Sequence, residues 1–234
     1  MNLNRLIYRQ SIFFFAFIAI SAVFGFWPAY LSHVAEKDLL VHVHGALLSL
    51  WLAMLITQAY LIRTNRRAIH RQLGKLSYLL APLILLSIAT IRHHAMARAD
   101  DPFGESQMAL VFPNAIGQPI LFAVTYGLAI LNRRDPATHA RFMLCTLIPA
   151  AGPIFNRVMT FYVSDGIVWA PFTGAVVVVS LIGLSLWDWK ANRRLNVFPI
   201  VLGVVLSLIV ANSLLATSGL KMSFAHWYLS LPLS

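Results

Sequence analysis

The chain has 234 residues, of which 59% are apolar and 11% charged, with a net charge of +10 and a mean hydropathy of +0.74. These values exclude an ordinary soluble domain, in which about a quarter of residues are charged, and a disordered chain, which needs low hydrophobicity. The single cysteine, Cys145, excludes an intramolecular disulfide and a cysteine-caged metal.

A membrane helix needs about 20 mostly apolar residues, because a rise of ~1.5 Å per residue has to cross ~30 Å of hydrocarbon. Seven stretches meet that length: 11–31, 39–62, 73–91, 108–131, 142–163, 167–187 and 198–217. The first ends in Trp27, Pro28 and Tyr30 rather than at a small-residue cleavage site, so it reads as a span and not as a cleaved signal. The fold expected is an all-α polytopic bundle of seven transmembrane helices forming one membrane domain. Residues 219–233 are too short to span and are expected along the outer surface or poorly ordered.

The charges orient this bundle. Lys and Arg collect in cytoplasmic loops. With the N-terminus inside, the inner segments hold Arg5 and Arg9; Arg63, Arg66, Arg67, Arg71 and Lys75; Arg133, Arg134 and Arg141; and Lys190, Arg193 and Arg194. The outer segments hold Lys37, Arg92, Arg98 and Lys221, together with Glu36, Asp38, Asp100, Asp101, Glu105 and Asp165. The basic balance is therefore a topology signal and not a nucleic-acid footprint. It places the chain in a cytoplasmic (inner) membrane, with the lipid bilayer as its partner and the C-terminus outside.

Polar groups within the spans need partners or a purpose. In the second span His44, Trp51 and Gln58 recur every seven residues and form one stripe with Leu48 and Leu55, which should face the interior. His42 is about 200° away around the same helix and belongs to a packing face. The fourth span carries Asn114 and Gln118, and the seventh Asn212. The fifth carries Pro149, Pro153, Asn156 and Arg157, and its prolines should kink or break it. His44, Asn114, Arg157 and Asn212 all lie five or six residues from the outer ends of their spans, roughly 8–9 Å deep. This common depth suggests an outer-half pocket lined by His44, Asn114, Asn156 and Arg157. The competing reading has Arg157 snorkelling outward towards Asp165 while the asparagines bond helix to helix.

Buried histidines on different helices are the ligand set of b-type haem, and neutral imidazole also binds copper or zinc. His44 with His94 (or its neighbour His93) would make an outer site, with haem iron between the rings and Arg157 on a propionate. His70 and His139 would make an inner one. His70 and His94 are 24 residues apart, ~36 Å if helical, which argues against two stacked haems within the hydrocarbon. His70 and His139 also begin helices among arginines, where lipid phosphate or backbone contacts suit them. Arg66-Arg67-x-x-His70-Arg71 and Arg133-Arg134-x-x-x-x-His139-x-Arg141 form an internal echo, for which duplication and chance both account. No span holds a lysine for a retinal Schiff base, and none holds a carboxylate for a proton-coupled pump.

The stretches His44-Gly45 with Trp51 and Gln58, then His70-Arg71-x-Leu73-Gly74, then His139-x-Arg141-Phe142-Met143 with Pro153 and Arg157 resemble a group of uncharacterised bacterial multi-pass membrane proteins defined by a domain of unknown function. The resemblance covers roughly residues 40–160. That group is distantly similar to transmembrane b-type cytochromes and to small factors associated with haem-copper oxidase assembly. The resemblance implies that His44, His70 and His139 are the functional residues and supplies no reaction. The leading expectation is redox-linked binding of haem b or a quinone-like ligand in the outer half, linked to electron transport. The alternatives are a non-enzymatic small-molecule or lipid-binding protein, a sensor, an assembly protein or a carrier.

Overall fold

A computed structural model describes residues 3–164, 169–193, 196–216 and 219–233. Asp165, Arg194, Thr217 and the side chains of Arg5 and Arg9, all named above, lie outside the described residues. Among the described residues the secondary structure is entirely helical. The helices are α1 (Leu3–Phe26), α2 (Leu39–Arg63), α3 (Arg67–Gly74), α4 (Ser77–Ala97), α5 (Glu105–Phe112), α6 (Gln118–Leu131), α7 (Pro136–Cys145), α8 (Ile148–Tyr162), α9 (Ala170–Asn192), α10 (Phe198–Ala216) and α11 (Leu220–Leu229). A 3-10 turn, Leu31–Glu36, precedes α2, and a π turn, Pro113–Gly117, joins α5 to α6.

Six helical stretches are long and apolar enough to cross a membrane: Leu39–Arg63, Ser77–Ala97, Gln107–Leu131, Pro136–Tyr162, Ala170–Ala191 and Phe198–Leu215. The chain is a multi-pass helical membrane protein. The helix α1 runs over 24 residues, Leu3–Phe26, of which Gln10–Phe26 form an apolar stretch, and the chain turns after it through Trp27–Tyr30. Large apolar side chains face outward along the bundle, among them Phe17, Phe24, Leu50, Leu79, Val179 and Leu214, as expected where the solvent is lipid.

Local chemistry sets several boundaries differently from the sequence reading. Asn65 adopts a left-handed backbone at φ 59° and ends α2, a conformation asparagine tolerates better than most residues. The inner connection then forms α3 instead of a loop. The fifth span starts at Pro136 rather than at 142, because Asp135 caps it: its carboxylate accepts from the Ala137 and Thr138 amides, with proline at the first helical position. His139 and Arg141 are thereby drawn into the helix. Pro149 breaks this span as expected, ending α7 and standing in the first turn of α8.

Two apolar cores lie side by side. Phe15, Trp51, Leu55, Ile84, Phe122 and Ile154 join α1, α2, α4, α6 and α8. Leu121, Ala129, Phe142, Leu181, Val201 and Val205 join α6, α7, α9 and α10. Gly25 permits the contact of α1 with α8: a β-carbon there would lie 2.9 Å from the Ile154 carbonyl oxygen. The tail helix α11 is ordered and packs Ala225 and Tyr228 against Met96 and Val111.

One ion pair corrects the expectation of carboxylate-free spans. Asp188, 1% exposed near the inner end of α9, accepts from Arg141 Nε at 2.9 Å and Nη2 at 2.7 Å. Arg141 is equally buried, so the inner-face arginine closes α7 on α9 and does not meet lipid phosphate. Removing one partner of a buried pair leaves an uncompensated charge and costs about 3–5 kcal/mol, whereas replacing both with apolar groups of similar volume is often neutral. Asp188→Ala should therefore lower unfolding stability in detergent by that amount, and Arg141→Met combined with Asp188→Leu should recover most of it.

Candidate functional site

The stripe on α2 faces the interior as its spacing requires, and each polar member meets a different element. His44 Nδ1 lies 3.1 Å from Ser87 Oγ on α4. Trp51 Nε1 donates to Thr146 Oγ1 at 3.3 Å, where α7 gives way to α8. Gln58 Nε2 donates to the His70 carbonyl at 3.1 Å. The Trp51 indole also packs edge-on against Phe122 and Tyr126 of α6.

The protonation of His44 follows from its neighbour. Ser87 has one hydroxyl proton and donates it to the Ile84 carbonyl at 2.8 Å. The His44–Ser87 bond must therefore use the Nδ1–H of the imidazole, which leaves Nε2 with a lone pair in the neutral ring. Arg157, on α8, lies within electrostatic range of His44. Its Nη1 donates to the Pro153 carbonyl at 3.3 Å, and its guanidinium stands 4.5 Å over the Phe26 ring. No carboxylate pairs with it among the described residues. An unprotonated nitrogen and a cation without a counter-ion thus share the outer half of the bundle.

The remaining outer residues do not join this pair. Asn156 turns to α9, where its Oδ1 accepts from Thr173 Oγ1 at 2.5 Å. Asn114 Oδ1 accepts from Gln118 Nε2 at 2.8 Å across the π turn. His94 Nε2 lies 3.0 Å from Asp38 Oδ2, an oxygen that Arg98 Nη1 also reaches at 2.6 Å. This clamp joins the outer ends of α2 and α4, two helical turns above the His44–Ser87 level. His42 pairs with the Tyr30 hydroxyl at 2.8 Å, in keeping with its place on a packing face.

His93, the alternative to His94 in the sequence reading, is the one that turns inward. It is 2% exposed, and neither ring nitrogen has a protein hydrogen-bond partner. The Tyr228 ring stands edge-on to it at 5.4 Å, and the Tyr228 hydroxyl donates to the Ala89 carbonyl. Burial pushes that phenol up to about 12. Beside it Arg92 Nη2 donates to the backbone and side-chain oxygens of Gln107 at 2.9 and 2.8 Å.

At the opposite end of the bundle stand the histidines of the two echoed hairpins. His139 Nδ1–H donates to the Ala129 carbonyl at 2.8 Å, again leaving Nε2 with the lone pair of a neutral ring. His70 lies within electrostatic range of it; burial holds the His70 imidazole below its usual value, and His139 adds to that effect. His70 Nδ1 and Gln58 Oε1 are both buried without a protein partner. Arg71 is exposed and stands apart. Among the described residues no group of three or more His, Cys, Asp or Glu is placed to hold a metal ion. No family model, curated protein or solved structure matches the chain.

The outer clamp has a pH signature. Its hydrogen bond to His94 holds the Asp38 carboxyl below the ordinary carboxylate range, and Arg98 contributes further. A depressed folded-state value stabilises above the unfolded one and is lost as pH falls through the folded value. The α2–α4 outer contact should loosen below about pH 4, near the reference value of an aspartate. Backbone hydrogen exchange at residues 38–42 and 94–98 should rise there, and Asp38→Asn should show the faster exchange already at neutral pH.

Proposed function

We propose that this chain is a seven-span protein of the cytoplasmic membrane, N-terminus inside and C-terminus outside, which binds the head group of a quinone-like redox ligand between His44 and Arg157. The seventh span is α1, supported by its exposed aromatic and aliphatic side chains and its packing along α2 and α8. The orientation rests on the excess of Lys and Arg in the inner connections.

The observation that carries the ligand reading is that His44, with Nε2 as an acceptor, lies within electrostatic range of Arg157, a guanidinium that pairs with no carboxylate among the described residues. A desolvated guanidinium needs an electronegative partner, and a quinone carbonyl oxygen supplies one. A ring nitrogen with a lone pair accepts from the hydroxyl of the reduced form. One site therefore has a donor for the carbonyl and an acceptor for the hydroxyl. The break before Pro149 starts α8, the helix that carries Arg157.

The second reading is haem b in the same place, with His44 Nε2 on the iron and Arg157 on a propionate. The same lone pair favours it, as does the resemblance to b-type cytochromes. The engagement of His94 by Asp38 weighs against it, because the proposed second axial ligand is held at a different level.

Visible spectroscopy of the detergent-purified protein from haem-replete cells, oxidised and then reduced with dithionite, separates the two. The expected protein is colourless, and a short-chain quinone analogue stabilises it thermally, by about 2.7 kcal/mol at a hundred times its Kd. His44→Ala and Arg157→Gln should each abolish that stabilisation. A stoichiometric Soret band that disappears in His44→Ala would assign the site to haem b. A colourless protein indifferent to quinone analogues would sink both readings.

A further inference from the structure

The seam between α4 and α6 is tied twice where α4 begins and α6 ends. On its buried side Ser77 Oγ lies 2.9 Å from the Tyr126 hydroxyl. On its outer side Tyr78, the next residue, is exposed, and its hydroxyl accepts from Arg133 Nη1 at 3.2 Å, just past the end of α6. The Tyr78 amide donates to the Lys75 carbonyl at 3.1 Å, so Lys75 stands one turn before it. Arg71 lies a further turn back, and like charges at that spacing on a helix repel. Arg71, Lys75 and Arg133 are all exposed, and none pairs with a carboxylate among the described residues. Asp135, two residues from Arg133, is committed to the cap of α7. The Tyr78 oxygen accepts from Arg133, and its own proton meets no acceptor among the described residues. Apolar surface adjoins these donors directly. Leu79, beside Tyr78, and Leu131, two residues before Arg133 and 79% exposed, both face outward. One turn from Leu131 on α6, a β-carbon at Gly127 would meet nothing within 4 Å.

We propose that Lys75, Tyr78 and Arg133 form the head-group site of one anionic phospholipid at the α4–α6 seam, with the lipid phosphate on the three donors and the acyl chains along Leu79, Leu131 and Gly127. The donor set selects phosphate. A guanidinium offers a fixed fork to two phosphate oxygens, an ammonium adds a point charge, and a phenol adds a hydrogen bond. Tyr78 already holds Arg133 in place, so less side-chain freedom is lost on binding than with a solitary surface arginine. The leucines select a lipid over a free phosphate ion, because a cation bordered by apolar surface matches an amphiphile. An anionic leaflet attracts every basic side chain within a Debye length of it, but only donors at the apolar boundary can fix a single lipid. Arg67, in the first turn of α3 and two helical turns before Lys75, belongs to that general attraction and not to the site. The site is independent of the outer-half ligand and of the orientation of the bundle.

The test uses full-length protein, delipidated in detergent and titrated separately with dioleoyl phosphatidylglycerol and with dioleoyl phosphatidylcholine, with bound lipid counted by native mass spectrometry. The expected result is one phosphatidylglycerol per chain, held at least about fivefold more tightly than phosphatidylcholine and retained when inorganic phosphate is added at equal concentration. Lys75→Gln and Arg133→Gln should each weaken binding by about fivefold, Tyr78→Phe should weaken it less, and Arg67→Gln should leave it unchanged. The comparison of the two lipids on the wild-type protein decides the matter even where a variant fails to fold, since equal affinity overturns the proposal. So does displacement by inorganic phosphate, which would mark an anion site without a lipid. A loss in Arg67→Gln equal to that in Arg133→Gln would overturn it too, by reducing the effect to the general charge of the surface.

Discussion

The structure depends on how α2 satisfies polar groups in a setting without water. Three side chains on one stripe, at intervals of two turns, reach three different parts of the bundle: His44 to α4, Trp51 to the junction of α7 and α8, and Gln58 to α3. Hydrophobicity alone does not position helices against one another in lipid, because lipid tails are as apolar as leucine. Directional contacts set the register instead. The stripe fixes α2 against its neighbours at three depths, with His44 at one end and Gln58 at the other.

The same reasoning sorts the arginines. Arg141 has a full ionic partner and acts as a structural brace. Arg92 is held by the two oxygens of a glutamine, a neutral arrangement that leaves its charge unbalanced. Among the described residues, Arg157 meets a carbonyl and the face of Phe26. A ring face stabilises a cation by about 0.5–2 kcal/mol, less than a desolvated guanidinium requires. Of the three, Arg157 combines a large unmet demand with a neighbouring histidine that offers an acceptor, and so it marks a binding site more strongly than burial alone would.

Much of this was legible from residue spacing. The period of seven in His44, Trp51 and Gln58 required an interior stripe, and Pro149 required a break. Asp135-Pro136 carried a cap signal that would have moved the start of the fifth span outward and placed His139 on a helix. Other features were not available to sequence reasoning. Asp188 is 47 residues from Arg141, and no local pattern links them. Asn156 and Arg157 are adjacent and share a depth, yet 100° of helical rotation sends one to α9 and the other to α1 and α2. Depth is a function of residue number, whereas facing depends on neighbours whose places are set by packing. The seven apolar runs marked a membrane chain, but not the Tyr30–His42 contact that ties the turn after α1 to α2.

The same tautomer occurs at both ends of the bundle in different settings. His44 and His139 each give Nδ1–H to a fixed acceptor and present Nε2, so as isolated rings they are equivalent. Their surroundings differ. Arg157 stands near His44, and its charge repels a bare cation while attracting a carbonyl or carboxylate oxygen. His139 instead lies within electrostatic range of a second imidazole, that of His70, and the guanidinium of Arg141 is already paired with Asp188. The same ring nitrogen therefore stands beside a fixed cation at one end of the bundle and near another neutral ring at the other, so the two histidines are not interchangeable.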